Sequence, residues 1–481
     1  MTRRLVSLAI SLVLAASLVY VASGDVTVNT AVFATAQDPG TPRLEIRDDV
    51  VSVSWFCGGT SALGESESGE YGGEIVLTNP TDTVATATVT VFTIDQDPIV
   101  LVVAVDPRAS AVVDLDASVT ASYVSAMVEL DRSEITVEQV SRHPAGDAVA
   151  TCTTTTSDEW YAADGFTAAG SDLRLLVTNP YPTAAIIDVE ISTAAGPRTP
   201  GELQGYVVPP RSLRVVNLED AGFRDEAVVA VSLRASTGRV VVAKDQHFLG
   251  SGRLGHVTSL ASPAVDEEWW FADGAVGSGI TERLVIFNPT ESDVEADVVV
   301  LGVSGLATEY ESTELTVPSR EVVSFDVAGI PGLGEGPHGL LVTTWSGPSL
   351  VVERVITRPA GQSVVTSVVL GSQGDVLSTE WFASITGSDA NEPALVVLNV
   401  SPNSVSVDVS SIGPGGPEPV AALVGLTLAP NERRELSLGD VAGRPITVVA
   451  SDAVIVERSI ERNESGIGRL GSLALPIQRR S

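Results

Sequence analysis

At 481 residues, with 44% hydrophobic and 19% charged residues, the chain has the composition of folded protein, which excludes the disordered class. Its 61 acidic against 28 basic residues leave a net charge of −33, which repels nucleic acid and anionic lipid head groups. Two cysteines fit an exported protein with one disulfide, and equally two thiols in a core.

Residues 1–24 read as an export signal. Thr2-Arg3-Arg4 is basic and the run from Leu5 to Ala22 carries no charge. That run is longer than the apolar core of a cleaved signal and close to the ~20 residues of a bilayer span. Two readings stand, a signal cleaved after Val21-Ala22-Ser23 and an uncleaved anchor through residues 5–22. Under both, the remainder is extracellular or at the cell surface and touches the membrane only through this segment. Residues 25–49, with Asp38-Pro39-Gly40-Thr41-Pro42, read as a linker.

From residue 50 onward the chain is a fourfold repeat. Trp55-Phe56-Cys57-Gly58, Trp160-Tyr161-Ala162-Ala163, Trp270-Phe271-Ala272-Asp273 and Trp381-Phe382-Ala383-Ser384 open four copies, with the tryptophans roughly 105 to 111 residues apart. They define modules 50–156, 157–265, 266–377 and 378–481. Inside them Val405, Val407 and Val409 alternate with Ser406, Asp408 and Ser410, and Ile187, Val189 and Ile191 with Asp188 and Glu190, so one face of each strand is core. About seven or eight such runs per module, with no helical period outside the leader, predict an all-β chain of four tandem β-sandwich (Ig-like) modules. Four compact modules in a row would extend on the order of 130 Å.

Three phrases recur. Proline lacks an amide donor and forces extended geometry on its predecessor, so Asn79-Pro80, Asn179-Pro180 and Asn288-Pro289 close a strand, with Asn bonding the next turn. Asn399-Val400-Ser401-Pro402 predicts a longer turn. Asp106-Pro107-Arg108, Pro209-Pro210-Arg211, Pro318-Ser319-Arg320 and Ala429-Pro430-Asn431-Glu432-Arg433 read as hairpin turns. The third phrase is a charged late strand, with Glu353-Arg354 and Glu457-Arg458, and with Glu138-Gln139 and Ala243-Lys244 as weaker counterparts. Neighbours in a strand face opposite sides, so at least one charge of each pair meets a core or another strand, which predicts cross-strand ion pairs. Cys57 lies in the first strand of module one and Cys152 in its last. These positions predict a Cys57–Cys152 disulfide that joins the two ends of that module, and no other module has a cysteine at either place.

In this order the phrases resemble the repeated secreted modules grouped as domain of unknown function 5719, common in actinobacteria, from about residue 51 to the end. The resemblance implies an exported, envelope-associated protein of β-sandwich modules and assigns no reaction to any residue.

Candidate chemistry is sparse. His143, His247, His256 and His338 share no module position and no metal-ligand spacing, so they read as surface or turn residues. No serine sits in a nucleophile elbow, and 61 acids are too many to single out a glycosidase pair. Glu65, Glu67 and Glu70 lack the alternation and glycine of a calcium loop. Asn463-Glu464-Ser465 matches a glycosylation sequon. The repeat tryptophans read as packing residues at module edges, with a carbohydrate-stacking face as the alternative. The expectation is therefore a protein without catalytic residues, metal or cofactor, acting as a spacer or scaffold of the cell envelope. The alternatives are an adhesion module for cell-wall glycan or an envelope protein, and an accessory protein of envelope glycan processing.

Overall fold

The computed structural model describes residues 42–47, 52–66, 69–302, 312–384, 390–441, 443–462 and 468–480. The expected signal or anchor, Glu67 and the sequon lie outside them. Regular structure among the described residues is strand, apart from short 3-10 turns.

Module two shows the plan. One sheet orders Glu159–Ala162, Val229–Thr237, Ala185–Thr193 and Gly196–Arg198; the other orders Ser212–Asn217, Asp172–Asn179, Val241–Gly250 and Arg253–Leu260. Ile187, Val189 and Ile191 are buried while Asp188 and Glu190 are half-buried, as a pleated strand with one core face requires. The other modules repeat this pair of sheets, and in module four the long strand Ile446–Arg462 serves both.

The second sheet of each module departs from simple alternation. Leu175, Leu176 and Val177 are all buried, as are Leu284 to Phe287 and Leu395 to Leu398. Unbroken apolar runs belong to strands covered on both faces, and the second cover comes from the preceding module. Phe56, Phe92 and Met127 of module one join the core of module two. Ala163, Phe166 and Phe248 of module two join that of module three, and Ala272 and Leu301 of module three that of module four. Phe382, Ile412, Leu475 and Ile477 of module four then join the core of module one. The four modules close a ring, with the strands Ala148–Thr151, Arg253–Leu260, Ser363–Leu370 and Gly468–Leu473 around its axis. This overturns the extended string of 130 Å: even a string that kept the three sequential junctions would leave in water the face of module one that Phe382, Ile412, Leu475 and Ile477 cover, at about 25 cal/mol for each Å² exposed.

The linker reading of residues 25–49 is also corrected at its end. Leu44–Arg47 forms a strand parallel to Leu475–Arg480 of module four, and Leu44 is buried in the core of module one. A segment that precedes module one thus fastens the junction where the ring closes.

The asparagines set their turns through the side chain. Asn79, Asn179, Asn288 and Asn399 are fully buried. Each donates from Nδ2 to the carbonyl four residues on, at 2.7–2.8 Å, and accepts at Oδ1 from the amide two residues on, at 2.9–3.0 Å. The turn after Asn399 therefore has the same length as the others, a correction to the longer turn expected there. The asparagine amide fixes the geometry, and the proline can move within it. In the Pro-containing turns Arg108, Arg211, Arg320 and Asn431 all take positive φ, between 49° and 60°, the left-handed position of a tight turn.

Candidate functional site

The tryptophans at equivalent places are Trp55, Trp160, Trp269 and Trp381, none more than 1% exposed. Trp160 Nε1 donates to Val240 O, Trp269 Nε1 to Leu350 O and Trp381 Nε1 to Val454 O, at 3.0–3.1 Å. Trp270 is a correction. In the strand Glu268–Val276 the inward place belongs to Trp269, whereas Trp270 is half-buried, bonded to Glu268, and packs on the core of module four. A Trp-Trp doublet hides which ring faces in, and spacing alone cannot choose. Trp269→Ala is expected to cost at least about 3 kcal/mol and Trp270→Ala clearly less. Denaturant unfolding of both variants checks this, and equal losses would reject the assignment.

The charged late strands supply the second feature. Glu353 accepts from Lys244 Nζ at 2.5 Å and from the amides of Ala163 and Asp164 at 2.9 and 2.6 Å. Arg354 donates twice to Glu457, at 2.7 and 3.2 Å, and Glu457 also takes the amide of Ala272 at 2.6 Å. Arg458 donates to Glu138 at 2.9 Å, and Glu138 takes the amide of Ser384 at 3.0 Å. These pairs are buried and run between modules, which corrects the expectation of cross-strand pairs within a sheet. Adjacent side chains point to opposite faces, and here both faces are covered. Glu353 therefore reaches back to module two while Arg354 reaches forward to module four.

Three junctions carry such a pair. At the fourth, between modules one and two, the same positions hold Gln139 and Ala243. Gln139 exchanges two hydrogen bonds with the backbone of Gly59, at 2.9 and 2.6 Å. Ala243 lies against Gly58, where an added Cβ would sit 2.4 Å from its own. Losing the acid and the cation together leaves no buried charge unpaired.

Titratable groups return to that junction in another form. The ring of His143 stacks on His256 at 4.3 Å and 13° between planes, and meets His247 edge-on at 4.6 Å. His256 Nε2 lies 2.7 Å from Asp245 Oδ1, Tyr123 OH donates to Asp245 Oδ2 at 2.9 Å, and Arg174 donates to Tyr123 OH at 2.6 Å. Burial, reinforced by His256 and His247, drives His143 down to about 3. Burial lowers His247 as well and raises the Tyr123 phenol. Burial opposes the charge on Asp245, but the His256 ring and its hydrogen bond outweigh it and hold the carboxyl below its ordinary value. The surface or turn reading is corrected for His256 and His338, which are buried in strands, and for His247, half-buried in one; His143 does lie in the turn after Thr136–Arg142. A signal was present, since His247 and His256 are nine apart across a tight hairpin and pair directly in register. His143 comes from another module, and only the packing brings it there. The parallel rings of His143 and His256 cannot aim at one ion, and among the described residues no group of three His, Cys, Asp or Glu is placed to hold a metal.

The remaining candidates fall elsewhere. His338 is buried in module three, with Nε2 2.9 Å from Glu282. Glu70 is engaged with Arg142 at 2.9 Å. Cys57 and Cys152 form the disulfide. The opening on the ring axis, lined by Val257, Leu260, Val368, Leu370, Leu470 and Leu473 among others, holds about 70 Å³, roughly half the engineered cavity that admits benzene. Trp345, not a repeat residue, is 87% exposed, and its indole N–H is held by Asp297 at 3.1 Å.

A model described as Family of unknown function (DUF5719) matches residues 130–252 and 249–474, well over half the chain. The chain belongs to this family. The DUF5719 matches run across the junctions between modules one and two, two and three, and three and four. No curated protein matches in sequence. Among solved structures, the crystal structure of Thermotoga maritima 1070 is similar at 11% identity over 23% of this chain and 95% of that one, with a TM-score of 0.20. The crystal structure of a tetra-tandem repeat in the extending region of a large adhesion protein is similar at 12% identity over 84% of this chain and 95% of that one, with a TM-score of 0.13.

Proposed function

We propose that this DUF5719 protein is an exported, non-catalytic scaffold of the cell envelope whose ring presents a binding surface for cell-wall glycan, in place of a spacer that supplies reach. The observation that carries the reading is Trp345. An indole 87% exposed offers a flat apolar face on which a sugar ring can stack. Here a carboxylate fixes the indole edge, so the ring stands ready to stack on a sugar face. Rigid placement matters for such a platform, because order already present does not have to be acquired on binding, and the ring supplies it. The disulfide fits an oxidising compartment outside the cytoplasm. Co-sedimentation of the purified protein with insoluble wall glycan is the test. Retention that falls at least tenfold in Trp345→Ala, with an unchanged melting temperature, supports the proposal. No retention of the unaltered protein, or equal retention of the variant, rejects it.

A further inference from the structure

We infer that the junction between modules one and two is an acid-sensitive seam: protonation of His143 loosens module one from module two while the other three junctions stay closed. The geometry carries this first. His143 belongs to module one, and His247 and His256 belong to module two, so the stack at 4.3 Å bridges the seam. His143 Nδ1 accepts from the amide of Ala145 at 3.0 Å, which fixes a neutral ring with its proton on Nε2. A second proton would have to enter at Nδ1, and would break that bond.

The surroundings offer the resulting cation little. From module one, Tyr71 meets the ring edge-on at 5.0 Å, and Asp147 is engaged with the His143 amide. Tyr123 donates to Asp245. From module two, Asp245 already serves His256 and Tyr123, and Asp172 lies on Arg174 at 2.5 Å, with that guanidinium turned to Tyr123. A cationic His143 would therefore face His247 and His256, and the one carboxylate acting in its favour, Asp245, is shared with His256 and Tyr123. Its ordinary value of 6.5 falls to about 3 in the closed seam, through burial and then its two histidine neighbours.

Proton affinity is thus lower when the seam is closed than when the side chain is free. Closure is fully favoured above pH 6.5 and weakens steadily from about pH 6.5 down to about pH 3. The other junctions answer differently. They hold cation–carboxylate pairs through Lys244, Arg354 and Arg458.

Hydrogen exchange read by mass spectrometry, corrected for intrinsic rates, tests this on the purified protein at pH 7.5 and 5.0. A group shifted from 6.5 to about 3 moves an opening equilibrium by roughly thirtyfold over that interval. Peptides from Ala121–Leu130 and Asp172–Asn179 are expected to exchange at least tenfold faster at pH 5.0, and those from Val294–Leu301 and Gly336–Thr344 to keep their rates. His143→Phe keeps a stacked ring without a titrating nitrogen and is expected to abolish the difference. Unchanged exchange at the seam, equal loosening at every junction, or an acid response that survives in His143→Phe would overturn the inference. Should that variant fail to fold, proton NMR of the unaltered protein decides: a His143 midpoint below about 4 supports the seam, and one near 6.5 overturns it.

Discussion

Arg354→Met is expected to destabilise the protein by about 3–5 kcal/mol, and Arg354→Met combined with Glu457→Gln by clearly less. Arg354 is completely buried and gives two hydrogen bonds to Glu457 across the junction of modules three and four. Removing the guanidinium alone leaves the Glu457 carboxylate in the same dry place with the Ala272 amide as its main support. Removing both charges takes out the pair together and leaves Glu282, 3.9 Å from Arg354 and 2.9 Å from His338, as the nearby buried carboxylate; the chain already contains a junction without this pair, where Gln139 and Ala243 occupy the corresponding places. Urea denaturation of the two single variants and the double variant forms a cycle. A coupling below about 0.5 kcal/mol would mean that the pair contributes shape and not charge.

Loss of the Cys57–Cys152 bond is expected to cost up to about 4–5 kcal/mol, from the chain entropy released by opening a loop of this size; the two residues are 95 apart. The fold should survive the loss. The corresponding places hold Ala162 and Ala261 in module two, Phe271 and Gly371 in module three, and Ala383 and Ala474 in module four. In module three the bulk sits on one side, and a Cβ on Gly371 would lie 2.7 Å from the Phe271 ring. Each pair fills a similar gap, so Cys57→Ala with Cys152→Ala should give a folded, less stable ring. Intact mass with and without reductant, then calorimetry of both forms, measures the effect. Two alkylatable thiols in protein from an oxidising compartment, or a double variant that melts like the parent, would refute it.

The repeat, the strands, the disulfide position and three of the four asparagine turns were legible in the sequence because each depends on neighbours a few residues away or on a phrase repeated four times; at Asn399 the displaced proline misled. A period of two says which side chains share a face, as with Val405, Val407 and Val409. It does not say what covers the opposite face. That gap is why the pairs Glu353-Arg354 and Glu457-Arg458 suggested bonds within a sheet, when each residue in fact serves a different junction. One trace of the ring was present: the unbroken apolar run from Leu175 to Val177 and the charges embedded in Val351 to Ile356 both suit strands buried on two sides. The choice between Trp269 and Trp270 turned on strand register in the folded module. The meeting of His143 with His247 and His256 depended on closure of the ring, which places an end of module one over a hairpin more than a hundred residues away. Local pattern determined the modules. Only the packing of one module's outer face on the next, driven by apolar area that a linear array would leave in water, decided how they assemble and where the chemistry lies.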